Sequence, residues 1–296
     1  MKLLVIDIGG TFIKYGIYNV DKFKLTNKGK ILTPHENQSD LFNTIKNIAN
    51  ESPSVEGCSI SMPGTIDTKR GYVFQGGALQ YNNGTYFSKV LRDKLGLPVT
   101  INNDARSAAL AEQWQGRLKN VDNALVLVLG TGLGCSIVQN GNIYEGSHNY
   151  AGEFSVIFTK GFKKNGSNAL LGNQVSVPLL VDEISRIYGK KLSGIEAMNV
   201  VKNKANANVC KLFDDYLENF AVQIFNFQIM FDPEIILIGG GISQNNFFMD
   251  CLKRRVESIF SLLPFEINHS EIESCLFSND ANLIGSAKTF LDQSQI

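Results

Sequence analysis

The chain has 296 residues, 44% of them hydrophobic, with 28 basic and 28 acidic side chains and a formal net charge of zero. That supplies a sizeable core, more than one domain comfortably builds, and its dispersed Lys and Arg lack the basic footprint of a nucleic-acid binder. No apolar run reaches the roughly 18 residues of a membrane span, and the scattered Cys58, Cys135, Cys210, Cys251 and Cys275, without a Cys-x-x-Cys pair, read as reduced thiols of a cytoplasmic protein.

The first predicted element is a buried strand, Leu3-Leu4-Val5-Ile6, reached almost at once from Met1, which leaves no room for a leader peptide. It runs into a glycine turn, Asp7-Ile8-Gly9-Gly10-Thr11, and then into strands over Phe12 to Tyr18 and Phe23 to Leu32. Helical spacing follows from Ser39 to Ala49, with Leu41, Ile45 and Ile48 on one face and Ser39 as the cap. A strand over Gly57 to Ser61 enters Met62-Pro63-Gly64; a helix covers Phe87 to Leu95, a strand Pro98 to Asn102, and an alanine-rich helix Ala105 to Trp114.

The second half opens on a similar plan: a strand over Leu125 to Leu129, a turn at Gly130-Thr131-Gly132-Leu133-Gly134, a strand, and a hairpin at Gln139-Asn140-Gly141. Two such β-turn-β units about 120 residues apart form a coarse internal repeat. Lys160 to Asn168 reads as a polar loop, and residues 160–210 carry the weakest pattern. Asn208 to Phe231 is a long helix stopped by Asp232-Pro233, Ile235 to Ile238 is a strand entering a third turn, Gly239-Gly240-Gly241-Ile242-Ser243, and Ala281 to Leu291 is a helix. Alternating strands and helices in two halves predict two α/β domains flanking a cleft, 1–115 and 116–280, with 281–292 packing back on the first.

Each glycine turn lets backbone amides approach a ligand closely, and three of them together suggest one phosphate-handling apparatus. Asp7 reads either as a turn former or as a partner, direct or through water, of a phosphate-bound magnesium. Asp104 reads either as the cap of its helix or as a general base, whose ionised form a helix N-terminus favours. Glu153 is either solvated surface or a polyol contact, His148 a loop residue, and Arg106 and Glu112 helix-surface residues.

In this order, Asp7-Ile8-Gly9-Gly10-Thr11, Ser61 to Asp67, Asn103-Asp104-Ala105, Gly130 to Gly134, Ala151-Gly152-Glu153 and Gly239 to Ser243 resemble the ROK family of sugar kinases, within the actin and hexokinase-like ATPase superfamily. The resemblance implies two actin-like (ribonuclease H-like) α/β domains. It implies that Asp7, Gly9, Gly10, Thr11, Thr131, Gly132, Gly134, Gly240 and Gly241 bind ATP, with Asp7 toward Mg²⁺. Gly64, Asn103, Asp104 and Glu153 would contact the sugar, with Asp104 as base.

Two departures bear on substrate. Valine stands at 156, where the family's histidine helps bind zinc and sugar, and Lys160 to Gln174 holds no cysteine, so the family's zinc loop lacks its ligands. The second sugar-binding glutamate has no counterpart near Gly172 to Ser176. Gly77-Ala78-Leu79-Gln80-Tyr81 is similar to the zinc-less branch that contains β-glucoside kinases. The resemblance therefore implies ATP- and Mg²⁺-dependent phosphorylation, at the 6-hydroxyl, of a β-glucoside or hexose by a zinc-free homodimer, and the composition predicts no nucleic-acid or membrane partner. A free-hexose kinase and a non-catalytic sugar-binding protein are the alternatives; a helix-turn-helix repressor of the family would carry a DNA-binding domain ahead of the first motif.

Overall fold

Six consecutive buried residues, Leu3 to Ile8, make β1 (Lys2–Ile8) the middle strand of the first sheet. β2 (Phe12–Asn19) and β3 (Lys24–Leu32) continue it as an antiparallel meander on one side. α1 (Gln38–Asn50) covers one face with Leu41, Phe42, Ile45 and Ile48. Its cap is Asn37, whose Oδ1 accepts the Asp40 amide at 3.0 Å, not Ser39, which lies inside the first turn. β4 (Gly57–Met62), buried throughout, pairs parallel to β1. A small ribbon of β5 (Thr65–Asp67) and β6 (Tyr72–Gln75) leads to α2 (Phe87–Leu95). β7 (Val99–Asn103) then pairs parallel to β4 and passes into α3 (Asp104–Gln115), giving the order β3-β2-β1-β4-β7. The parallel strands are unbroken buried runs because both their faces are covered.

The second sheet repeats the plan. β8 (Ala124–Leu129), β9 (Leu133–Gln139) and β10 (Asn142–Ile143) form the meander. Asn140 and Gly141, at φ +50° and +71°, make the two-residue turn that the Asn-Gly pair predicts. The expected loop at Lys160 to Asn168 contains a single helical turn, α4 (Phe162–Asn165), whose Asn165 Nδ2 donates to Gly161 O at 2.8 Å, and a 3₁₀ turn over Gly166–Ala169. After the short α5 (Leu171–Gln174) come two amphipathic helices that periodicity did not announce, α6 (Val177–Tyr188) and α7 (Gly194–Lys202). Ser176 caps α6, and Ser193 with Glu196 forms a capping box on α7.

α8 (Ala207–Phe231) ends where Asp232 turns left-handed before Pro233. β11 (Ile235–Gly239), α9 (Asn246–Phe260) and β12 (Glu271–Ser274) complete the order β10-β9-β8-β11-β12. α10 (Ala281–Ser294) lies along α3 and the first sheet.

This computed structural model describes residues 1–52 and 54–294. They divide into a first unit of 1–52, 54–120, 145–151 and 279–294 and a second of 121–144 and 152–278. Among the described residues no helix is long and apolar enough to cross a membrane.

Candidate functional site

In the first unit, Asp7 stands within β1, paired across the ladder with Lys14 on one side and Ser61 on the other. It is thus a strand residue and not the turn former that its sequence position allowed. It is buried, and Asn282 of α10 donates from Nδ2 to its Oδ1 at 2.9 Å while Lys14 Nζ lies 3.8 Å from Oδ2. Burial pushes the Asp7 carboxyl above the ordinary carboxylate range, and Asn282 and Lys14 only partly offset it. Gly9, Gly10 and Thr11 form the whole link between β1 and β2. Gly9 N donates to Phe12 O at 2.9 Å, and Thr33 Oγ1 donates to Gly9 O at 2.7 Å, while Gly10 and Thr11 are exposed.

Gly64 follows β4 at φ +109°, where a Cβ would fall 2.0 Å from Gln75 O, so no other residue fits that approach. Asn103 closes β7 and holds two segments at once. Its Nδ2 donates to Gly64 O at 3.0 Å, and its Oδ1 accepts the Arg106 amide at 3.1 Å as the cap of α3. Asp104 is the first residue of that helix, and its Oδ1 accepts the Ala105 amide at 2.8 Å. The structure therefore brings Gly64, Asn103 and Asp104 together.

Arg106 and Glu112 are not surface residues. Arg106 is 4% exposed; it donates from Nη1 to Ile66 O at 3.2 Å and to Glu145 Oε1 at 3.0 Å, and from Nη2 to Asn149 O at 2.9 Å. Glu112 is fully buried, and its Oε2 accepts the Arg117 amide at 3.0 Å where the chain leaves α3. Both escape a pattern reading because their partners come from loops with no periodicity. Lys14 was within reach of one: a three-residue link after Ile8 sets it opposite Asp7.

In the second unit, Gly130, Thr131 and Gly132 link β8 to β9, closed by Gly130 N donating to Gly132 O at 3.0 Å; Gly134 lies inside β9. Gly240, at φ +88°, would place a Cβ 2.0 Å from Leu129 O, so the third turn packs on the residue that opens the second. Beside it Gly241 has open space around its Cα, and Ser243 Oγ donates to Gly240 O at 2.8 Å. Gly152, at φ +91°, would drive a Cβ to 2.7 Å from Cys135 O, which holds the Glu153 segment against β9. Glu153 is half-buried, and the buried Cys135 thiol is pushed well above its ordinary range, chiefly by desolvation and secondarily by the Glu153 charge. Val156 is exposed, as are Phe158 and Phe162, whose ring centroids lie 5.8 Å apart. His148 is exposed.

The sequence profile of the ROK family matches residues 3–293. A β-glucoside kinase of Listeria monocytogenes is 30% identical over 299 residues, covering 99% of this chain and 98% of that protein. A ROK family protein from Streptococcus pneumoniae, solved in complex with sucrose, superposes with a TM-score of 0.85 at 28% identity, covering all of both chains. A ROK family glucokinase from Streptomyces griseus, solved with glucose and AMPPNP, superposes with a TM-score of 0.80 at 21% identity, covering 97% of this chain and 98% of that one, which shows a shared fold.

Proposed function

This chain belongs to the ROK family and is a sugar kinase, and from that premise we propose that it transfers the γ-phosphoryl group of ATP to the 6-hydroxyl of a β-glucoside, with Asp104 as the base. The observation that carries the assignment is the division of labour at the start of α3. Asn103 caps the helix, so the Asp104 carboxylate at its first position is not required as the cap. The helix N-terminus favours its ionised form, the form able to take a proton. As O6 bonds to the γ-phosphorus and the bond to the β–γ bridging oxygen breaks, the hydroxyl proton passes to Asp104 and ADP leaves with the electron pair. Such transfer needs positioning and charge neutralisation more than elaborate group chemistry.

Gly9, Gly10 and Thr11 on one unit, and Thr131, Gly132, Gly134, Gly240 and Gly241 on the other, are our proposed phosphate and nucleotide contacts. Asp7 suits magnesium, held directly or through water: it is a buried carboxylate whose desolvation Asn282 and Lys14 offset only in part, and oxygen is the ligand that cation takes. Bound magnesium neutralises charge on the phosphate oxygens. Asn103 has both amide atoms engaged within the protein, so we assign it chiefly to orienting Gly64 and Asp104, with one N–H left for the sugar. Glu153 is the proposed hydroxyl contact on the second unit.

The choice of a glucoside over a free sugar rests on the relative named β-glucoside kinase and on the exposed apolar residues that follow Glu153 in the sequence. Val156, three residues on, and Phe158 and Phe162 expose apolar surface suited to an aglycone. Two side chains that could have rebuilt a closed glucose pocket are engaged elsewhere. Gln174 Nε2 donates to Thr159 Oγ1 and, at 3.2 Å, to Asn168 O; Tyr81 OH donates to Pro34 O at 2.6 Å. The test is ADP release from ATP and Mg²⁺ over a panel of hexoses, methyl β-glucosides and cellobiose. Turnover on a β-glucoside supports the reading, and absence of turnover on every sugar ends it.

A further inference from the structure

The guanidinium of Arg106 has no part in the scheme above, yet it joins three segments of the first unit. It sits two residues after Asp104 and is almost fully buried. It donates to Ile66 O at 3.2 Å, on the strand that follows Gly64, to Glu145 Oε1 at 3.0 Å and to Asn149 O at 2.9 Å. The last two belong to a seven-residue strap, Glu145–Ala151, which clusters with the first unit although Tyr144 and Gly152 on either side of it belong to the second. Ala151 N donates to Glu145 O at 3.3 Å and closes the strap, with Gly146 and Asn149 at φ +71° and +61° turning it.

Burying a guanidinium is costly unless its planar fork finds directed acceptors, and a carboxylate and two carbonyls supply them here. Glu153 is two residues beyond Ala151, so chain length alone keeps its Cα within about 7 Å of the strap's last residue. We infer that Arg106 is a positioning residue for the sugar site: by pinning the strap to the helix that begins at Asp104, it fixes the point from which the chain delivers Glu153. The inference rests on the reading of Glu153 as a sugar contact.

The experiment pairs Arg106→Lys and Glu145→Ala with the conservative Glu145→Gln. Each variant is assayed for the KM of sugar and of ATP, and its amide hydrogen exchange is followed over residues 146–151. A lysine keeps the charge and loses the fork; Glu145 is partly exposed, so its truncation keeps the test open if Arg106→Lys folds poorly. Arg106→Lys and Glu145→Ala are expected to raise the sugar KM by about fivefold or more, to leave the ATP KM within about twofold, and to speed exchange in the strap. Glu145→Gln, which keeps an acceptor for Nη1, is expected to stay within about twofold of wild type in both. Faster strap exchange in Glu145→Ala with an unchanged sugar KM overturns the inference, as does unchanged exchange in both anchor variants. A wild-type protein that turns over no sugar overturns the kinase reading and this inference with it, whereas an active wild type with insensitive variants overturns the inference alone.

Discussion

Asn103 and Asp104 divide two tasks that a single acidic residue at a helix start would have to share: Asn103 Oδ1 receives the Arg106 amide at 3.1 Å, and the Asp104 carboxylate follows as the first helical residue. Replacing Asp104 by Asn removes the proposed proton acceptor and leaves the cap in place. Asp104→Asn is therefore expected to lower kcat by about 10²–10⁴-fold while ATP affinity and Tm stay near wild type. Steady-state kinetics on the best sugar with nucleotide binding in parallel is the check; near-normal turnover removes Asp104 from the mechanism.

A second relation concerns stability against pH. The folded-state pKa of Asp7 is raised by burial, so the folded protein holds that proton to higher pH than the unfolded chain does. The carboxylate consequently costs stability that begins to be lost as pH rises through the ordinary carboxylate value near about 3.9 and is fully lost above the raised folded value. Asp7→Asn is expected to match wild type in Tm at acid pH and to exceed it at neutral pH in magnesium-free buffer, while kinase activity falls. Calorimetry across that range tests the sign: a neutral-pH Tm below wild type contradicts it.

The helix pair α3 and α10 supplies a third expectation, independent of chemistry. Gly285 of α10 lies so close to α3 that a Cβ would come within 1.7 Å of Ser107 O, a backbone atom that cannot swing aside. Gly285→Ala is expected to cost about 3 kcal/mol or more, the upper end of overpacking penalties. Denaturant unfolding that shows a loss under about 0.5 kcal/mol would mean that the two helices separate easily.

The sheets were legible because continuous apolar runs such as Leu3 to Ile6 and Leu125 to Leu129 bury both faces, a pattern few other elements share. The Asn140-Gly141 turn and the stop at Asp232-Pro233 were equally plain, since both depend on local backbone preference. What escaped the pattern depends on distant partners. Arg106 and Glu112 look like exposed charges on an alanine-rich helix until loops cover them, and nothing in the sequence of Glu145 to Ala151 says that it returns to the first unit. β12 is short and only partly buried, with no alternation to betray it. The capping signals of α6 and α7, Ser176 before Pro178 and Ser193 with Glu196, were present in the sequence, but the irregular stretch ahead of them masked the period. Among the residues of the proposed site, hydrogen-bond partners were not legible: Asn282 reaches Asp7 from 275 residues away.

Metal content gives a fourth prediction. With Val156 at the histidine position and no cysteine from Lys160 to Gln174, the purified protein is expected to hold no stoichiometric zinc and to keep its activity through chelation followed by added magnesium. Elemental analysis that finds about one zinc per chain in this region refutes the expectation. Removal of magnesium should abolish turnover, because the nucleotide phosphates require a hard cation.

The final prediction concerns the anomeric end of the sugar. On the proposed reading, the lack of a histidine at 156 and of a second glutamate near Gly172 to Ser176 leaves no polar pair to penalise a substituent on the anomeric oxygen. The Gln174 amide nitrogen, which donates to Thr159 and Asn168, and the Tyr81 hydroxyl, which donates to Pro34, are committed within the protein. Exposed Val156, Phe158 and Phe162 offer an aglycone apolar cover worth about 25 cal/mol for each Å² removed from water, before ordering costs. A methyl β-glucoside or cellobiose is therefore expected to equal or exceed free glucose in kcat/KM, and Phe158→Ala to erode that advantage for the larger aglycone while leaving glucose nearly unchanged. Matched steady-state kinetics on the three sugars checks both expectations. A preference for free glucose of about a hundredfold would place about 2.7 kcal/mol of transition-state discrimination at the anomeric end, which an open pocket cannot generate.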